Sequence, residues 1–231
     1  MSPNVTSSDL ILGIDEAGRG PVLGPLVLCG VAATPAQREF LNSLDLRDSK
    51  RYGSSPRGRQ RRALLAKKIR ATATVSVEMA EAEAIDAWSL HGNLNELERD
   101  LARQIIETLG RPLTIVADGQ RLFAPLRDLY PHLEARDRAD ATEVLVSAAS
   151  IVAKVERDRR VEALFADEAS GLGPVAGGGY PNAATARFLR AYVAKHGHLP
   201  REVRQSFAWP VLIDLRHDLG LIAQDAERET P

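Results

Sequence analysis

Four acids open the chemical reading of this chain. Asp15 and Glu16 stand side by side where the apolar run 10–14 meets Ala17-Gly18-Arg19-Gly20-Pro21. Neighbours in a regular strand point to opposite faces, but a chain that turns at its end brings both acids toward one ion, and the glycines permit that turn. A polar strand terminus is the competing reading. Asp118 closes the apolar run 113–117 and precedes Gly119, although Asp-Gly is also an ordinary turn dipeptide. Asp140-Ala141-Thr142-Glu143 reads equally as a helix cap with a partner acid three residues on. Convergence favours chemistry: all four acids lie at strand ends or a helix start, where α/β sheets assemble their sites.

Four carboxylates brought together repel one another and raise each other's pKa values unless cations neutralise them. Oxygen ligands without a cysteine or histidine set point to Mg²⁺ or Mn²⁺ rather than zinc. Two such ions about 4 Å apart activate a water and stabilise the leaving oxygen in phosphodiester hydrolysis.

The second ingredient is a basic stretch, residues 47–70. It holds Arg47, Lys50, Arg51, Arg57, Arg59, Arg61, Arg62, Lys67, Lys68 and Arg70 against the single acid Asp48, a local charge of about +9. A solvated helix face is one reading; a surface that serves a polyanion is the other. Arg187, Arg190, Lys195, His196, His198, Arg201 and Arg204 form a looser scatter near the C-terminus, and a duplex held between the two is the expectation.

The elements that must position these residues follow from periodicity. Apolar runs at 10–14 and 25–33, the alternating 72–79, the run 113–117 and the weaker 132–136 give five strands. Helical spacing marks residues 64–69, the stretch 80–109 with a break near Gly92, 182–196 and the segment after Pro210. Residues 141–167 read as an amphipathic helix, with Val144, Ala148, Ile151, Val152 and Val155 on one stripe and Lys154, Arg157 and Asp158 off it. Glycines and Pro174 make 171–179 a loop. The order predicts an α/β fold, a mixed five-stranded sheet flanked by helices with a C-terminal helical extension. A catalytic domain over 10–170, with 171–231 as the extension of the same domain, is the expected organisation.

Bulk composition agrees with an ordinary soluble protein. The chain has 231 residues, 44% hydrophobic and 26% charged, enough for one sizeable core. Thirty basic against thirty-one acidic residues leave a net charge of −1, so any nucleic-acid argument must be local. Cys29 is a single cysteine, which excludes an intramolecular disulfide framework and makes a reducing, cytoplasmic compartment the expectation. The N-terminus lacks the basic and apolar regions of a secretory signal, and the longest apolar stretch, 23–33, is too short and too broken to span a bilayer.

The motifs in order spell a resemblance. Gly13-Ile14-Asp15-Glu16-Ala17-Gly18-Arg19-Gly20-Pro21 closely resembles the N-terminal signature of bacterial ribonuclease HII, of the type 2 ribonuclease H family. The likeness continues through Asp48-Ser49-Lys50, Val116-Ala117-Asp118-Gly119, Ala139-Asp140, the run 147–159, Gly179-Tyr180 and Ser206-Phe207. It implies an RNase H-like fold, with Asp15, Glu16, Asp118 and Asp140 as the catalytic, metal-binding acids. It further implies that Gly18, Arg19 and Gly20 read the 2′-hydroxyl of a ribonucleotide, that Tyr180 stacks on the sugar next to the cut, and that Lys50, Ser150 and Lys154 lie along the phosphate path. The implied substrates are RNA–DNA hybrids and DNA duplexes containing ribonucleotides, cut by a monomer with Mn²⁺ or Mg²⁺ and no membrane partner.

The chain departs from the family pattern in two places. Asn182-Ala183-Ala184-Thr185 stands where the family has threonine or serine and then histidine, and residues 88–95 diverge after Ala84-Ile85-Asp86. The related HIII group differs at Arg19 and carries an extra N-terminal domain, so HII fits better. Two rivals remain: a duplex-binding module whose acids are turn and cap residues, and a metal-dependent phosphatase or nuclease of other specificity. A core-packing role is the alternative for Tyr180.

Overall fold

The computed structural model describes residues 10–46, 53, 55–90, 92–112, 114–165 and 175–222. Lys50 and its motif lie outside them. Five strands form one sheet: β1 (Ile11–Ala17), β2 (Leu26–Ala33), β3 (Thr74–Ala80), β4 (Thr114–Asp118) and β5 (Leu133–Arg136), in the order β3-β2-β1-β4-β5. The β1–β2 and β2–β3 pairs are antiparallel, whereas β1–β4 and β4–β5 are parallel. The helices are α1 (Pro35–Asn42), α2 (Pro56–Thr72), α3 (Ala82–Ser89), α4 (Leu94–Thr108), α5 (Gln120–Phe123), α6 (Val144–Phe165), α7 (Ala183–His196) and α8 (Pro210–Asp218). The expected strands and main helices are all present, and Gly92, at φ +72, falls in the break between α3 and α4.

The chain divides into two compact units. The first comprises the chain up to Arg19, Leu26–Ala80 and Asn93–Arg157, and the second Gly20–Pro25, Glu81–Gly92 and the chain from Asp158 onward.

In the first unit, helices cover both faces of the sheet. β2 is buried at every position, as a strand paired on both edges and packed on both faces must be. Two glycines show how closely the helices approach. A Cβ on Gly13 would meet the Leu145 backbone carbon of α6 at 2.3 Å, and one on Gly30 would meet Ile105 Cγ2 of α4 at the same distance. Gly13 pairs with Val31, and its neighbour Ile14 with Gly30, so strand alternation assigns the two glycines to opposite faces. Val31, Leu41, Leu65, Ile69, Leu145 and Val152 share the core on the α6 face. On the other face α4 buries Leu97, Leu101, Ala102, Ile105 and Ile106, the spacing of one helical stripe.

Two expectations need correction. β1 runs on through Ala17, so Asp15 and Glu16 lie within the strand, paired with Cys29 and Leu28, and the chain turns only at Gly18, at φ +94. The strand is longer because β2 continues to offer partners at Leu28 and Val27. The start of α6 is not amphipathic: every residue from Val144 to Ala153 is buried, and Arg157 is only 5% exposed.

In the second unit, Leu23, Val161, Phe188, Leu189, Leu199, Val203, Leu212 and Leu215 form a separate core. Segment Gly20–Pro25 is stitched into it: Val22 N–H donates to Gly179 O, Gly24 N–H to Glu202 O and Arg204 N–H to Val22 O, each at 2.9 Å. Arg204, expected among the cations of a binding scatter, is instead fully buried, with its Nε donating to Gly24 O at 2.9 Å.

Candidate metal centre and glycine motif

Alternation along β1 puts Asp15, two residues beyond Gly13, on the face covered by α6. β4 is the parallel neighbour of β1 and ends at Asp118, whose Oδ1 accepts the Ala139 N–H at 3.0 Å. That bond draws in the short 3₁₀ turn 139–141, which carries Asp140. The Ser147 hydroxyl of α6 donates to the Asp140 carbonyl at 2.9 Å and pins the turn to the helix. Two parallel strands and the turn before α6 thereby deliver one carboxylate oxygen each from Asp15, Asp118 and Asp140, all within 4.8 Å of one another. At the start of α6, Glu143 accepts from the Leu145 amide at 3.4 Å and takes two hydrogen bonds from the Arg38 guanidinium.

Burial and like charge raise the carboxyl pKa values at this centre. Burial first, then the neighbouring Glu16 and Asp118 carboxylates, push the Asp15 carboxyl well above the usual range, against the Ser150 hydroxyl and the Glu16 amide, which favour the charged form. Glu16 is raised by burial and by Asp118, with a hydrogen bond to Asp15 and the charge of Arg19 opposing. Glu16 therefore touches the centre electrostatically but stands outside the set of three close oxygens. Clustered hard oxygen donors of like charge suit a divalent cation, and the three aspartates fit one.

The helix α6 supports Asp15 through a short relay. Lys154 Nζ donates to Ser150 Oγ at 2.9 Å, which leaves the Ser150 hydroxyl proton to donate to Asp15. Both residues implied for the phosphate path thus adjoin an acid of the centre.

Arg19 meets two residues that sequence reading did not single out: its guanidinium pairs with Glu98 and donates to Asn95 Oδ1 at 2.6 Å. A signal for Glu98 was present. It stands four residues after Leu94 and four before Ala102, an acid on the buried stripe of α4.

In the second unit Tyr180 is 50% exposed, which rules out a core-packing role. A Cβ on Gly20 would make an ordinary contact with its ring, at 3.5 Å. The departure at Asn182 has a structural account: its side chain caps α7 by accepting from Ala184 and Thr185 N–H at 3.0 Å, and donates to Gly177 O at 3.2 Å.

Among the basic residues of α2, Arg57, Arg59, Arg61, Lys67, Lys68 and Arg70 are exposed. Arg62 is instead buried and donates to Gly53 O at 2.5 Å, and Arg70 is paired with Glu156 at 2.7 Å. In the C-terminal scatter Arg201 is paired with Glu202 at 2.8 Å.

A mixed sheet with an acid cluster where its parallel strands end places the chain in the RNase H-like class of α/β folds. Two solved structures share it: the ribonuclease HII of Archaeoglobus fulgidus, determined in complex with PCNA, and the ribonuclease H2 of Pyrococcus horikoshii. The first is 33% identical with a TM-score of 0.73, covering 84% of this chain and 93% of the other. The second is 29% identical with a TM-score of 0.74, covering 91% and 99%. In sequence, the ribonuclease HII of Methanothermobacter thermautotrophicus is 38% identical over 207 residues, 86% of this chain and 96% of that protein. A family model described as Ribonuclease HII matches residues 12–209. The chain belongs to the ribonuclease HII family and is an enzyme of the ribonuclease H kind, an endonuclease. No helix among the described residues is long and apolar enough to cross a membrane.

Proposed function

We propose that the protein hydrolyses the RNA strand of RNA–DNA hybrids, and the phosphodiester on the 5′ side of a ribonucleotide embedded in duplex DNA, leaving a 3′-hydroxyl and a 5′-phosphate. The observation that carries this reading is the convergence of Asp15, Asp118 and Asp140 within 4.8 Å. Two divalent cations, Mn²⁺ or Mg²⁺, held there with help from Glu16 would activate water and stabilise the leaving oxygen.

The protein's own groups do the rest. The Lys154–Ser150 pair holds Asp15 in place, the backbone of Gly18, Arg19 and Gly20 reads the 2′-hydroxyl, and the exposed ring of Tyr180 supports the neighbouring sugar. Lys50, with the exposed cations of α2, contacts phosphates and so gives affinity without sequence preference. The working form is a monomer in a reducing, cytoplasmic setting, in keeping with the buried thiol of Cys29.

Incubation of a labelled DNA duplex carrying one ribonucleotide, with and without Mg²⁺ or Mn²⁺, tests the reading. One metal-dependent cut 5′ to the ribonucleotide is the expected result. A 2′,3′-cyclic phosphate product overturns the mechanism, because it requires the 2′-hydroxyl as nucleophile. Binding without cleavage favours a duplex-binding module, and release of phosphate from a monoester favours a phosphatase.

A further inference from the structure

We infer that Glu98 and Asn95 of α4 anchor the Arg19 guanidinium, so that the Arg19 side chain positions the glycine motif rather than contacting the substrate. The inference rests on the reading of that motif as the 2′-hydroxyl reader.

Three observations carry it. The Glu98 side chain is 0% exposed and its ion-pair partner is Arg19, whose own side chain is 41% exposed. A buried carboxylate is costly without its counter-charge, so Arg19 cannot swing toward a phosphate without stranding Glu98. Asn95 Oδ1 takes a guanidinium nitrogen at 2.6 Å, which fixes the orientation of the fork as well as its position. Arg19 is also flanked by two glycines, with Gly18 at φ +94. A segment with so little side chain has a wide choice of backbone conformations. Arg19 supplies the one side chain that can select among them, and α4 is the element it is tied to.

The test compares R19Q, E98Q, the double variant R19Q/E98Q and N95A. Each is assayed for kcat and KM on a duplex with one ribonucleotide and on the same duplex with a 2′-fluoro sugar at that position. Calorimetric Mn²⁺ binding to the free protein is followed in parallel. An anchor predicts that R19Q and E98Q each lower kcat by about ten- to a hundredfold, the scale of a misplaced reacting group, with KM nearly unchanged. The double variant should be no worse than the poorer single one, N95A should fall in the same direction by less, and Mn²⁺ affinity should hold.

Losses that multiply in the double variant overturn the anchor, as does an R19Q defect confined to KM, the mark of a direct ground-state contact. Should E98Q fail to fold, R19K and N95A carry the test: both weaken the fork while leaving Glu98 a cation, and wild-type kcat in both sinks the idea. A wild-type enzyme that cuts the 2′-fluoro duplex as fast as the ribonucleotide duplex overturns the glycine-motif reading itself. A wild type that needs the 2′-hydroxyl, but whose losses multiply, overturns the anchor alone.

Discussion

Asp15 and Arg19 are four residues apart, yet they sit in opposite electrostatic situations. Burial and the neighbouring carboxylates raise the pKa of Asp15, against a hydroxyl and an amide group. Arg19 is matched to the fully buried Glu98 and to Asn95. The second arrangement is matched in charge, whereas the first gains from an added positive charge. Folding alone does not favour like charges held within 4.8 Å, so their persistence points to a ligand, whereas a matched pair needs none.

The sharpest way to break the contrast is to remove one charge from each cluster. Asp118→Asn keeps the volume and the acceptor for the Ala139 amide while it removes a negative charge. Cleavage should fall below a few per cent of wild type, with the metal-free melting temperature unchanged or raised because repulsion is relieved. Arg19→Ala should do the reverse to stability, since it strands Glu98, at a cost of about 3 to 5 kcal/mol. Paired melting curves and single-turnover assays check both. An Asp118→Asn variant with substantial activity sinks the metal role.

Tyr180 extends the comparison to a residue whose exposure, rather than charge, calls for a partner. Tyr180→Ala should cost about 1 to 3 kcal/mol of transition-state stabilisation, on the scale of bases stacked on aromatic side chains, while Tyr180→Phe should be mild. Wild-type cleavage of a single-ribonucleotide duplex by the alanine variant would leave the ring without a role in catalysis.

Metal binding should show in stability as well as in rate. Asp15 and Glu16 have folded-state pKa values raised above those of the unfolded chain. Groups shifted this way favour the fold while protonated. The metal-free protein therefore loses their contribution as pH rises from the ordinary carboxylate range through the raised values. A bound cation removes that penalty, so the rise in melting temperature on adding Mn²⁺ should be larger at pH 8 than at pH 5. An equal rise at both pH values counts against cation binding at these acids.

The contrast also explains what could be read from the sequence. The five strands were legible because each is an apolar or alternating run bounded by turn residues, and Asp118 because it closes one of them. The length of β1 was not, because only pairing with β2 carries the strand through Asp15 and Glu16 to Ala17. The burial of the start of α6 on all sides was hidden because small residues such as Ala148, Ala149 and Ala153 carry little periodic signal. Glu98, by contrast, was visible as an acid on an apolar stripe, but only the fold reveals Arg19 as its partner. Likewise, nothing in a list of arginines separates the buried Arg62 and Arg204 from exposed ones.

That last distinction gives the smallest effect and the finest test. Lys67 and Arg70 lie three residues apart on α2, and both are exposed, but Arg70 is already paired with Glu156 at 2.7 Å. If α2 serves a polyanion, a lysine that contacts phosphate displaces a condensed counter-ion, which adds about 0.9 to the slope of log affinity against log salt. Lys67→Ala should therefore weaken binding to all duplexes alike and flatten that slope by about 0.9. Arg70→Ala should change it less, because Glu156 already offsets the arginine's charge; the exposed pair is worth about 1 kcal/mol or less to the fold. Fluorescence anisotropy of a labelled hybrid across a salt series, without metal so that nothing is cut, measures both. Equal slopes for Lys67→Ala and wild type would return α2 to the reading of a solvated helix face. A larger change for Arg70→Ala than for Lys67→Ala would mean that the Glu156 pair opens when the duplex binds.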